Sequence, residues 1–148
     1  MKRNLKKPLV LLLCIAVLFA LLPVTAAEEG GLSGEYVAKN SQGEVLVRVG
    51  WKISADGKEL TLTLLYPAPV MDSGRCCAPE IAIEIARLTN KTAKEVGLGV
   101  ESLQLIGFAE AGYDLYVFEN LKRIDLGSVQ RISNWAFEGL PIEEITIP

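Results

Sequence analysis

Val100-Glu101-Ser102-Leu103-Gln104-Leu105 returns as Leu121-Lys122-Arg123-Ile124-Asp125-Leu126, and again as Ile142-Glu143-Glu144-Ile145-Thr146-Ile147. Each step is 21 residues. An apolar-x-apolar pair on a short strand sends two side chains to one face and the residue between them to the other. The intervening stretch keeps the same offset. Phe108, Ala111, Leu115 and Tyr116 align with Val129, Ile132, Ala136 and Phe137. One such unit cannot cover its own apolar side, whereas stacked neighbours cover one another. The alignment places Tyr116 in the core beside Phe137. Tyr113, Phe118 and Trp135 are less constrained, with one or two of them expected as exposed contact residues.

Upstream of Val100 the pattern changes. Ile81 and Ile83 fit an earlier, weaker unit, but Ile81, Ile85 and Leu88 also fit one face of a helix behind Pro79, and both readings stand. Farther back the chain alternates like antiparallel strands. Gly34–Lys39 is a strand candidate, and Asn40-Ser41-Gln42-Gly43 a turn. Val45, Val47 and Val49 then share one face, and Trp51 and Ile53 follow. Asp56-Gly57 is a strong hairpin signal, because glycine accepts positive φ without a Cβ clash. The return strand puts Leu60, Leu62 and Leu64 opposite Trp51 and Ile53, and two prolines at Pro67 and Pro69 end it.

The expected fold is therefore a β-rich repeat. An N-terminal antiparallel β-hairpin unit occupies 28–70, and a loop with adjacent cysteines occupies 71–79. A short leucine-rich repeat solenoid fills 80–148. Pro148 closes a strand with no capping segment behind it, so the solenoid is expected to be truncated or covered by a partner at its C-terminal end.

The first 27 residues read as a secretory signal peptide. Lys2, Arg3, Lys6 and Lys7 precede an apolar run from Leu9 to Leu22, and Val24-Thr25-Ala26-Ala27 offers small residues for cleavage near Ala26 or Ala27. The run is shorter than the roughly 20 residues a membrane span needs. Of fifteen basic residues four lie in this leader, so the mature chain carries eleven against eighteen acidic ones, a net charge of −7. An acidic chain without a basic cluster argues against nucleic acid as a partner. The expected location is secreted or at the cell surface.

No histidine is present, which removes Ser-His and Cys-His catalysis and the usual zinc sites. No phosphate loop or dinucleotide fingerprint occurs, and no metal or cofactor is expected. Asp125, Glu143 and Glu144 imitate a hydrolase pair only in type, since nothing marks an apolar pocket around them. Cys76 and Cys77 are neighbours. They can remain thiols, close a strained ring as a possible disulfide, or pair with another chain.

Val129-Gln130-Arg131-Ile132-Ser133-Asn134-Trp135-Ala136-Phe137-Glu138-Gly139-Leu140, with Ile145-Thr146-Ile147-Pro148, resembles the BspA-like leucine-rich repeat of bacterial surface and secreted proteins. That family's repeat carries an apolar-x-x-Ile-Gly-x-x-Ala-Phe core and an Ile-x-Ile-Pro strand. Ser133 replaces the usual glycine, and Leu140 stands where cysteine is common. The resemblance implies an adhesive, protein-binding role at the cell surface.

Together these features predict an exported, non-enzymatic module binding protein or glycan. Its expected surface is the strip of outward strand residues Ser102, Gln104, Arg123, Asp125, Glu144 and Thr146. The alternatives are a capping or assembly piece that self-associates through its open C-terminal rung, and a small secreted enzyme.

Overall fold

The computed structural model describes residues 30–66 and 76–148. The residues read as a signal peptide, the prolines at 67 and 69 and the loop residues 71–75 lie outside the described residues. Three antiparallel strands come first: β1 (Leu32–Lys39), β2 (Val45–Ile53) and β3 (Glu59–Tyr66). In the first turn, Asn40 Oδ1 accepts the N–H groups of Gln42 and Glu44, each at 2.9 Å. In the second, Gly57 takes φ 77°, and Asp56 Oδ1 accepts from Ser54 Oγ at 2.6 Å and from Lys58 N–H at 3.0 Å. These bonds, the Ser54 hydroxyl first, hold the Asp56 carboxyl below its ordinary range. Trp51 pairs with Leu62 and Ile53 with Leu60.

The chain then crosses back through two helices, α1 (Ala78–Thr89) and α2 (Ala93–Gly99). Pro79 occupies the first turn of α1, where its missing N–H costs nothing. Ile81, Ala82, Ile85 and Ala86 form its buried stripe. Asn90 ends it at φ 54°. Thr92 and Glu95 form a reciprocal capping box on α2, with Thr92 N–H donating to Glu95 Oε2 at 2.7 Å and Glu95 N–H to Thr92 Oγ1 at 3.2 Å.

Next come β4 (Ser102–Ile106), β5 (Glu110–Ala111), a 3-10 turn (Tyr113–Val117), β6 (Arg123–Asp125), β7 (Arg131–Ile132) and β8 (Glu144–Thr146). Six strands make one sheet in the order β1-β2-β3-β4-β6-β8, antiparallel up to β3 and parallel from there on. β5 and β7 form a separate parallel ladder.

The architecture is a small α/β domain on one mixed sheet. It is not the β-rich repeat solenoid expected from the sequence. Two physical reasons account for the difference. Residues 78–99 bury a helical stripe under a proline start and a capping box, so no earlier rung forms there. The hairpin strands also do not stand as a separate unit, because β3 pairs directly with β4, Leu60 beside Leu103 and Leu62 beside Leu105. The 21-residue step persists as register: Ser102, Arg123 and Glu144 are neighbours across three parallel strands.

One face of the sheet meets the helices. Leu60, Leu62, Leu103, Leu105 and Ile124 are buried there with Ile81, Ile85 and Phe118. Trp51 lies across Gly34, where a β-carbon would collide with the indole ring, and its Nε1–H donates to Glu84 of α1 at 3.3 Å. The other face is open.

Candidate binding site

On the open face the structure places the sequence-predicted strip side by side. Ser102, Arg123 and Glu144 form one row, and Gln104, Asp125 and Thr146 the next. Two of these side chains bond to each other. Gln104 Nε2 donates to Asp125 Oδ2 at 2.9 Å, and Gly127 N–H donates to Asp125 Oδ1 at 3.0 Å. Asp125 thus holds the turn at Gly127, whose φ is 53°. A shallow hollow of about 240 Å³ lies over β3 and β4 beside Gln104 and Asp125, and among the described residues no aromatic side chain lines it.

A larger hollow, about 800 Å³, lies on the helix side. It is built on the β5–β7 ladder, where Glu110 faces Arg131. Arg131 Nε donates to Glu110 Oε2 at 2.6 Å, and a second guanidinium nitrogen reaches the same oxygen. Ser133 Oγ donates to Glu110 Oε1. The Glu110 side chain is only 10% exposed while that of Arg131 is 67% exposed, so a sheltered carboxylate anchors an accessible guanidinium.

Three aromatic side chains line this hollow: Tyr113 at 53% exposure, Tyr116 at 59% and Trp135 at 74%. The expectation that Tyr116 belongs to the core is corrected. In a 3-10 turn positions i and i+3 eclipse, so Leu115 and Phe118 share the inward side and Tyr113 and Tyr116 the outward one. The turn is fixed from below by Asp114, which is buried. Its Oδ1 accepts Cys76 N–H at 3.1 Å and its Oδ2 accepts Ala78 N–H at 3.2 Å. This carboxylate therefore caps the N-terminus of α1 from outside the helix. Gly97 of α2 completes the seat, because a β-carbon there would run into the Val117 carbonyl.

Trp135 adopts φ 63°. A left-handed backbone costs a residue with a β-carbon about 1–2 kcal/mol, and an indole this exposed recovers little of that by packing. Such strain concentrates at functional sites.

Cys76 and Cys77 are buried thiols beneath the 3-10 turn. Burial, and secondarily the Asp114 carboxylate, pushes the Cys76 thiol up to about 12, which suits an inert core group and not a nucleophile.

Comparison of the chain with family models, with curated proteins and with solved structures finds no match. The site therefore rests on its own geometry. The sequence marked Tyr113 and Trp135 but not Glu110, Arg131 or Ser133. The available signal was the 21-residue offset itself, which sets a carboxylate at 110 beside a guanidinium at 131.

Proposed function

We propose that this chain is an exported, non-enzymatic binding module whose protein or glycan ligand docks in the aromatic hollow. The observation that carries this reading is the convergence of Tyr113, Tyr116 and Trp135, all exposed, on one concavity with an ion-paired floor. Exposed aromatics and arginine dominate the energetics of protein recognition sites, and a concavity of this size is ordinary for a ligand pocket. Glu110 is ion-paired with Arg131 and accepts a hydrogen bond from Ser133, an arrangement suited to holding a ligand and not to moving a proton. The leader-like residues 1–27 support export, and the acidic mature chain supports a partner other than nucleic acid.

The test is an array of extracellular matrix proteins and glycans probed with labelled protein of verified fold. Saturable binding weakened by Trp135→Ala is expected. A blank array, or binding indifferent to that substitution, overturns the reading.

A second reading has one observation in its favour. β8 is an edge strand, with Ile145 43% exposed and Ile147 74% exposed, a ready template for pairing with another chain. An assembly role predicts a mass that grows with concentration in light scattering. A constant monomer mass removes it.

A further inference from the structure

We infer that the hollow takes a neutral oligosaccharide, an inference that rests on the binding role proposed above and narrows it to one ligand class. A pyranose ring has an apolar C–H face and a rim of hydroxyl groups. It needs a flat aromatic surface beneath it and mixed donors and acceptors at its edge. Tyr113 and Tyr116 rise on the same side of the 3-10 turn, and Trp135 lines the same hollow. Each of these rings combines a flat apolar body with a polar tip.

The rim chemistry fits as well. Arg131 uses two guanidinium nitrogens on Glu110 and keeps further N–H donors for a ligand. Asn134 offers an amide with both donor and acceptor atoms, and Glu138 a carboxylate acceptor. A peptide anchor would require an apolar pocket at the centre of its interface, yet among the described residues Ile132 is the only aliphatic side chain lining this one.

Charge selects among glycans. The lining groups are Glu110, Glu138 and one compensating cation, Arg131, in a chain of acidic balance. A sulfated, phosphorylated or uronic-acid ligand would have to draw Arg131 away from Glu110 and lie near Glu138, which disfavours it. A neutral sugar meets neither cost. The left-handed backbone of Trp135 sets an exposed indole against this rim at a cost its own packing does not offset.

The protein has two tryptophans, one buried (Trp51, 3%) and one exposed (Trp135, 74%), so a ligand at the hollow changes the emission of the exposed one. The experiment titrates the purified protein with neutral hexasaccharides of β-1,4-glucose, α-1,4-glucose, mannose, xylose and N-acetylglucosamine. A heparin hexasaccharide serves as the charged control. The expected result is a saturable blue shift with at least one neutral sugar. By calorimetry its affinity falls at least about tenfold in Trp135→Ala and in Tyr116→Ala and is unchanged in Gln104→Ala.

No response to any neutral hexasaccharide overturns the inference. So does binding of heparin alone, or an affinity that both aromatic substitutions leave untouched. If the sugars fail while an array protein binds in a Trp135-dependent way, the glycan assignment falls and the binding role stands. If neither kind of ligand binds, both fall.

Discussion

On the open face of the sheet, Gln104 and Asp125 bond to each other and to a turn, and the exposed groups mix the charged Arg123 and Glu144 with the aliphatic Ile106. On the helix side, the same 21-residue offset sets Glu110 beside Arg131 and leaves three aromatic rings in solvent. The two sides share a register and differ in what the chain does between strands. On straight strands, side chains alternate, and Gln104 and Asp125 satisfy each other. Through the 3-10 turn and the Ser133–Trp135 bend the backbone changes period, and large apolar groups emerge that packing does not require. Regular elements set the frame, while the irregular segments between them expose the side chains on which the proposed recognition rests.

The largest effect that would break this contrast is at Asp114. Asp114→Ala removes a buried carboxylate and leaves the Cys76 and Ala78 N–H groups without it. The expected loss is about 3 kcal/mol of stability, read as a lower urea midpoint with an unchanged slope. Ligand binding in the hollow should weaken with it, since the tyrosines ride on this turn.

Alkali gives the next effect. The Cys76 thiol is raised in the folded state to about 12 from an ordinary 9.0. The folded protein therefore holds this proton more tightly than the unfolded chain. Its contribution is complete below pH 9 and is lost as pH rises from there toward 12. Melting temperature should fall across that window, and Cys76→Ala should flatten the fall. At pH 8 Cys76 should resist alkylation in the native protein and react in urea.

Trp135→Gly sharpens the comparison from the other direction. It should stabilise the fold by about 0.5–1 kcal/mol, because glycine tolerates φ 63°, while abolishing binding. Stability and function would then move in opposite senses at one residue. The smallest effect belongs to the open face. Gln104→Ala should change stability by no more than about 0.5 kcal/mol and leave binding unaltered.

Much of this frame was legible. Asp56-Gly57 located the second turn because its signal is local, and the recurrence of Leu103, Ile124 and Ile145 gave the strand register. The helices were harder. Ile81 and Ile83 fit a strand alternation, while Ile81, Ile85 and Leu88 fit a helical face. Thr92-x-x-Glu95 is a capping box that only a helix needs, and it marks the start of α2. Equating Tyr116 with Phe137 misplaced it because an apolar alignment assumes equal turns, and the 3-10 segment shifts the phase. The outward strip could be read by counting along strands. The hollow was harder, since the two-residue ladder between β5 and β7 carries no strand alternation and shows in the sequence only as the 21-residue offset of Glu110 and Arg131.

The most direct test of where ligand binds sets the two sides against each other. Retention of labelled protein on a captured ligand is measured for Trp135→Ala and for the double variant Gln104→Ala with Asp125→Ala, both checked for a native melt. Retention lost in the first and kept in the second is the predicted result. The reverse pattern would place recognition on the open sheet face and contradict the account.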